Sequence, residues 1–311
     1  MPARIRVRSL AKLNLDLRVL HKRPDGFHEL RTIFQTVSLA DTLEIECRRG
    51  PTQIDIKSNL SIPGNIIEKA AHLVLEATGR TARIGFVLHK KIPLGAGLGG
   101  GSTNAAAVLL ALPALLGKPL PIDKLMELAS ELGSDVPFFL LGGTALGLGR
   151  GTELYPLPER PARPALLIAP EIHSSTPEAY RALERQAEHA KTSEILRSFQ
   201  EVAWAGSEAW RNDFEEVVFR RHPLLKLIKR KLLKLGAAPA LMSGSGSCIF
   251  GMFGSRAKRD RAAEFFRKEP ARLRVYPVTM VSRSRYRALW RRQLSAFSEH
   301  TLWPPHYRYA E

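Results

Sequence analysis

Cysteine is almost missing: Cys47 and Cys248 are the only two in 311 residues. They stand far apart and outside any paired-ligand motif. That excludes a disulfide framework and fits free thiols in a reducing cytoplasm. Acidic residues are scarce as well, 30 against 47 Lys and Arg, for a formal charge of +17. No apolar run approaches the length of a membrane span, so no membrane partner is expected. The opening Met1-Pro2-Ala3-Arg4-Ile5-Arg6-Val7-Arg8 alternates basic and apolar residues. It reads as a strand, not as the unbroken apolar core of a signal peptide. What the chain does have is 44% hydrophobic residues, enough for a sizeable core in two domains or one large one.

The excess charge is unevenly placed. Residues 256–292 hold thirteen Lys and Arg against Asp260, Glu264 and Glu269. A solvated helix face with an over-basic tail is the favoured reading, with attraction for a polyanion or a phosphate-rich substrate as the other.

The most informative stretch is Pro93-Leu94-Gly95-Ala96-Gly97-Leu98-Gly99-Gly100-Gly101-Ser102-Thr103-Asn104, five of whose twelve residues are glycine. The apolar, β-rich Ile84, Phe86, Val87, Leu88 and Ile92 precede it, and Ala105-Ala106-Ala107-Val108-Leu109-Leu110 follows. The order is strand, glycine loop, helix. Glycine lets a ligand approach the backbone, and a helix start presents unpaired N–H groups with partial positive charge. Together these make an anion site, most often for phosphate. A tight connection that needs small residues for packing is the bland alternative.

Three phosphate-loop classes are excluded. A Walker loop needs a lysine, and residues 93–104 contain none. A dinucleotide-binding unit needs a second strand ending in an acid about 20 residues on, where Lys118-Pro119-Leu120-Pro121 stands instead. A protein kinase needs H-R-D and D-F-G elements, and neither occurs.

Elsewhere, residues 4–20 alternate as a strand. Ala11, Leu13, Leu15, Leu17 and Val19 share one face; Lys12, Asn14, Asp16 and Arg18 share the other. On that face Lys12 and Asn14 stand roughly 7 Å apart. Pro24-Asp25-Gly26 is a turn. Residues 31–39, 42–47 and 53–57 read as further strands, and 65–77 as a helix with Asn65 as N-cap and Gly79 beyond its end. A helical pattern stops at Gly133. Ser134-Asp135-Val136-Pro137 restarts a helix, with Asp135 placed to cap it. Prolines 156, 158, 161 and 164 mark a domain junction. The second half alternates strands and helices in a β/α sandwich, with a helix starting at Thr176-Pro177 and a second glycine-serine loop at 243–247.

Three ordered segments, Ala11-Lys12-Leu13-Asn14-Leu15, the glycine loop and Ser243-Gly244-Ser245-Gly246-Ser247, resemble the GHMP small-molecule kinases. Asp25-Gly26-Phe27-His28-Glu29-Leu30 and Gly133-Ser134-Asp135-Val136-Pro137-Phe138-Phe139 resemble the branch of that family whose acceptor is a cytidine-diphosphate-linked methylerythritol. The resemblance runs from about residue 8 to 290. It implies an α+β, two-domain fold: an N-terminal half like domain 2 of ribosomal protein S5 (1–157), a ferredoxin-like C-terminal half (158–292), and an appended tail (293–311). It also implies ATP and Mg²⁺ as cofactors. Small molecules are then the expected partners, with homoserine or mevalonate as alternative acceptors and a nucleic acid as the least favoured partner.

By the same resemblance, Asp135 is the general base and Lys12 the cation that pairs with it. Residues 93–103 cradle ATP, with Asn65 at the lip of the adenine pocket. Ser102 adds a hydroxyl to a phosphate or to Mg²⁺, or else caps the helix. Asn14 contacts the polyol. His28 hydrogen-bonds the cytosine edge, and Phe27 and Tyr180 stack on its faces. The family usually has Tyr where this chain has Phe27, so a stacking surface is kept and a hydroxyl is lost.

Overall fold

The computed structural model describes residues 3–159, 161–172, 174, 176–184, 210–300 and 303. The alternating start forms one long strand, β1 (Ala3–Lys22). Strand β2 (His28–Arg49) returns antiparallel to it, from Lys22 opposite His28 to Ala3 opposite Cys47. In the turn between them Asp25 Oδ1 accepts from the Phe27 N–H at 3.1 Å. The two strands expected at 31–39 and 42–47 are one. Ala40 and Asp41 continue the ladder opposite Leu10 and Ser9, and the Asp41 carboxylate bonds residues 90–92 rather than turning its own backbone.

Irregularities interrupt the β1 ladder between Leu10 and Lys12, Asn14 and Asp16, and Val19 and His21. Each shift re-aims the side chains that follow it. Ile5, Val7 and Leu10 therefore enter one core, Ala11, Leu13 and Leu15 a second, and Leu17 a third. A single strand is shared among all three.

Strands β3 (Gln53–Ser58), β4 (Ala82–His89), β5 (Thr144–Leu148) and β6 (Glu153–Pro156) complete a six-stranded sheet in the order β3-β4-β2-β5-β6, with β1 on β2. Helices α1 (Ile66–Thr78), α2 (Gly100–Leu115), α3 (Ile122–Leu132) and α4 (Val136–Leu141) enclose the first core against it. Asn65 Oδ1 caps α1 by accepting from the Ile67 N–H at 3.2 Å. Helix α2 is buried on every side from residue 103 to 115, as a helix packed among neighbours all round must be.

The second half is an antiparallel sheet in the order β10-β7-β9-β8, formed by β7 (Pro164–Pro170), β8 (Ala240–Met242), β9 (Ile249–Met252) and β10 (Leu273–Thr279). Along β7, Ala165, Leu167 and Ala169 face the second core, and Leu166 and Ile168 the third. Burial on both sides explains why this strand reads as an apolar run and not as an alternation. The third core lies beneath α5 (Thr176–Glu184), α6 (Phe214–Arg221), α7 (Pro223–Lys234) and α8 (Arg256–Arg267). The second core joins the halves.

Helix α9 (Arg283–Gln293) returns to the first core, where Tyr286, Trp290, Leu294 and Trp303 are buried. A side chain on Gly142 would put its Cβ 2.2 Å from the Tyr286 ring, so only glycine admits this helix. Tyr286 Oη donates to the Phe139 carbonyl at 2.6 Å. The segment expected as an appendage thus packs on the first core at its described residues. Residues 301–302 and 304–311 lie outside the described residues. Among the described residues, no helix is long and apolar enough to cross a membrane.

Candidate active site

A cleft of 1080 Å³ is lined by residues of β1, the 26–28 turn, both glycine loops, the start of α4 and helix α5. In the first loop Gly95, Gly97 and Gly99 take φ values of 62°, 73° and 68° and line the cleft. The intervening Ala96 and Leu98 are buried in the second core. Anchored apolar residues therefore alternate with glycines whose bare backbone faces the cavity. Of residues 93–103, Gly95, Gly97, Gly99 and Ser102 line the cleft, while Thr103 is buried inside α2. The N-cap of α2 is Gly99, so Ser102 does not cap it.

The second loop lies directly on the first. Ser243 Oγ donates to the Gly97 carbonyl at 2.9 Å, and the Cys248 N–H donates to Ala96 O at 3.3 Å. A Cβ on Gly97 would stand 2.0 Å from Ser243 O.

Strand β1 carries the polar side chains into this junction. The Lys12 N–H donates to Leu98 O at 3.0 Å. Lys12 Nζ lies 3.1 Å from Asp135 Oδ2, with the lysine side chain 4% exposed and the aspartate 34%. The same ammonium donates to Asn14 Oδ1 at 2.7 Å and sits 5.5 Å from the Phe34 ring centroid. Asn14 Nδ2 donates to Thr32 Oγ1 at 2.8 Å, which in turn donates to the Asp16 carbonyl. Each polar group is held by the next, so the ion pair has a fixed geometry. Asp135 occupies the N-cap position of α4 but makes no side-chain capping bond. The expected cap is absent because its carboxylate is directed to Lys12.

Farther along the cleft, His28 stacks on Tyr180 with centroids 4.6 Å apart and planes inclined by 22°. Phe214 meets the Tyr180 ring edge-on. Burial, and secondarily the charge of Asp135, raises the Tyr180 hydroxyl above its ordinary pKa, so it stays neutral. Phe27 is 47% exposed and carries the Arg150 guanidinium 3.4 Å from its ring centroid. Phe27, His28 and Tyr180 thus meet in one cleft, although His28 covers a face of Tyr180. Arg150 lines the cleft too and was missed from the sequence. Its one signal was a lone basic residue between Gly149 and Gly151. Asn65 is not among the lining residues. Its neighbour Ile66 stands 3.7 Å from where a Cβ on Gly101 would be, which keeps Asn65 beside the start of α2.

Behind the site, Asp16 is fully buried between Arg18 at 3.0 Å and Arg31 at 2.8 Å. Its Oδ1 also accepts from the Arg211 N–H at 2.9 Å. Burial lowers the Arg18 pKa most, against the raising influence of Asp16. Among the described residues no cluster of three His, Cys, Asp or Glu could hold a metal ion.

Fold and cleft together define a GHMP kinase. The family description "GHMP kinases N terminal domain" matches residues 65–143, and "GHMP kinases C terminal" matches residues 179–272. The chain is 52% identical over 311 aligned residues to 4-diphosphocytidyl-2-C-methyl-D-erythritol kinase of Solibacter usitatus (strain Ellin6076), covering 97% of each chain. It is 40% identical over 267 residues to the enzyme of the same name from Geobacter sulfurreducens, covering 85% of this chain and 95% of that one. A crystal structure of 4-(cytidine 5'-diphospho)-2C-methyl-D-erythritol kinase superposes with a TM-score of 0.74 at 37% identity, covering 89% of this chain and 99% of the other. Within the GHMP kinases, this chain belongs to the 4-diphosphocytidyl-2-C-methyl-D-erythritol kinase family.

Proposed function

We propose that this chain transfers the γ-phosphoryl group of ATP to the 2-hydroxyl of 4-(cytidine 5'-diphospho)-2-C-methyl-D-erythritol, a step of the non-mevalonate route to isoprenoid precursors. The observation that carries the reading is the Lys12–Asp135 ion pair, 3.1 Å long, in the cleft lined by the glycine loop. Phosphoryl transfer asks the protein for position and charge more than for covalent chemistry. The backbone N–H groups of 95–102 hold the nucleotide phosphates at the positive end of α2. Asn65 caps α1 beside that helix start and does not line the cleft; its role at the lip of the adenine pocket rests on the family likeness alone. Asn14 orients the polyol, and Lys12 offsets negative charge on the reacting oxygens.

Asp135 takes the proton from the acceptor hydroxyl as that oxygen bonds to the γ-phosphorus. The bond from the γ-phosphorus to the bridging oxygen breaks, and ADP leaves with the electron pair. Mg²⁺ typically keeps several waters and takes one or two protein oxygens besides phosphates. The Ser102 hydroxyl lines the cleft and would supply one such oxygen. When bound, the ion neutralises phosphate charge. Phe27, His28 and Tyr180 supply aromatic surface and an imidazole edge for cytosine.

The test mixes purified protein with ATP, Mg²⁺ and the cytidyl acceptor and follows ADP release. No release would sink the reading. Homoserine or mevalonate turned over faster than the cytidyl acceptor would overturn the acceptor assignment while leaving the kinase class intact. The names of the similar enzymes do not favour that alternative.

A further inference from the structure

Another buried ion pair lies beneath the glycine loop, and the chemistry above does not use it. Lys90 Nζ pairs with Asp41 Oδ2, with the two side chains 1% and 0% exposed. The other carboxylate oxygen, Asp41 Oδ1, accepts from the Lys91 N–H at 2.7 Å and the Ile92 N–H at 2.8 Å. Asn59 clamps the same segment: its Oδ1 accepts from the Lys90 N–H at 2.7 Å, and its Nδ2 donates to the Lys90 carbonyl at 3.2 Å. The three residues that lead into Pro93 are thus fixed by a side chain of β2 and by that of the residue just after β3.

The lysine is also placed where a cation is out of favour. A Cβ on Gly100, the first residue of α2, would stand 2.9 Å from Lys90 Nζ. A helix N-terminus already carries partial positive charge and favours anions. The first turn of α2 has no acidic residue, and its N-cap Gly99 offers no side-chain acceptor. Burying an ion pair costs desolvation, and here its cation adjoins the positive end of a helix. That arrangement is repaid when an anion sits on the outer side of the same helix end.

We propose that Asp41 and Lys90 are positioning residues for the nucleotide phosphates. Asp41 sets the course of the chain into the glycine loop. Lys90 adds a fixed positive charge under the start of α2 without touching the nucleotide. The inference rests on the reading that the loop binds the phosphates of ATP.

Calorimetric titration of the full chain with MgATP and with adenosine tests it, because only the first ligand brings phosphates. Lys90→Met should weaken MgATP binding by about tenfold and leave adenosine within about twofold. Lys90→Met leaves Asp41 unpaired, so the double variant Lys90→Met/Asp41→Asn guards against misfolding. It removes both charges, while the amide oxygen introduced at position 41 can still accept from the N–H groups of Lys91 and Ile92. It should melt near the wild-type temperature and show the same selective loss of MgATP. A folded double variant that binds MgATP like the wild type would overturn the proposal. So would equal weakening of both ligands, which is what a merely structural role gives. If the unaltered chain itself fails to bind MgATP, the reading of the glycine loop falls first and this proposal with it.

Discussion

Replacing Gly97 by alanine probes the contact between the two glycine loops. Two costs can be separated. The residue has a φ of 73°, and a left-handed conformation costs an alanine about 1–2 kcal/mol. The second cost is steric: the new Cβ would stand 2.0 Å from Ser243 O, whereas real contacts essentially never fall below 3.0 Å. The loops must therefore part by about 1 Å, and a misplacement of about 1 Å at a reacting centre can cost about 10²-fold in rate. Gly79→Ala supplies the control, since Gly79 has a φ of 61° and nothing within 4 Å of its virtual Cβ. In an ADP-release assay at saturating substrates, Gly97→Ala should lose about 10²-fold in kcat. Gly79→Ala should keep wild-type turnover and lose only a few degrees of Tm. Near-normal turnover in Gly97→Ala, or an equal loss in Gly79→Ala, refutes the reasoning.

Asp135→Asn and Lys12→Ala should each lower kcat by about 10²-fold or more; Asp135→Asn should lower Tm by only a few degrees, because the amide oxygen can still accept from the buried Lys12 ammonium, which also keeps its bond to Asn14. Tyr180→Ala should raise KM for the cytidyl acceptor several-fold and leave KM for ATP unchanged, as steady-state kinetics with each substrate varied would show. Arg150→Met removes the cation that holds the Phe27 ring and should raise KM for the cytidyl acceptor while leaving KM for ATP unchanged, as steady-state kinetics would show. Tyr286→Phe strands the buried Phe139 carbonyl and should cost about 1–3 kcal/mol in denaturant unfolding, without changing KM for either substrate.

Much of this was legible in the chain, and the exceptions have physical reasons. Period-two alternation placed Lys12 and Asn14 on one face, and their direct hydrogen bond agrees. The helix starting after Asn65 and the strand inside residues 164–170 follow from local pattern alone. Asp135 was harder. Its sequence fits a helix cap, and only the long-range approach of Lys12 shows why the carboxylate turns away. The continuity of β2 through Ala40-Asp41 was hidden because the partner of Asp41 is Lys90, 49 residues distant. The contact of Arg31 with Asp16 and the packing of Arg150 on Phe27 likewise depend on tertiary approach. So does the burial of Trp290 and Trp303, which an over-basic tail gave no reason to expect.

The sharing of β1 among three cores bears on how the chain is made. Its ladder with β2 needs only the first fifty residues. The Leu17 N–H, however, finds its acceptor in the Arg211 carbonyl, and Ser243 Oγ lies 3.3 Å from the Asn14 N–H it accepts from. A ribosome adding about 5–20 residues per second delivers Lys12 and Asp135 well before Arg211 or Ser243. Throughout that interval part of the strand bearing Lys12 lacks its late partners. Chaperone contact and proteolysis during synthesis should therefore concentrate at residues 14–19, and closure of the second glycine loop should be the event that ends it.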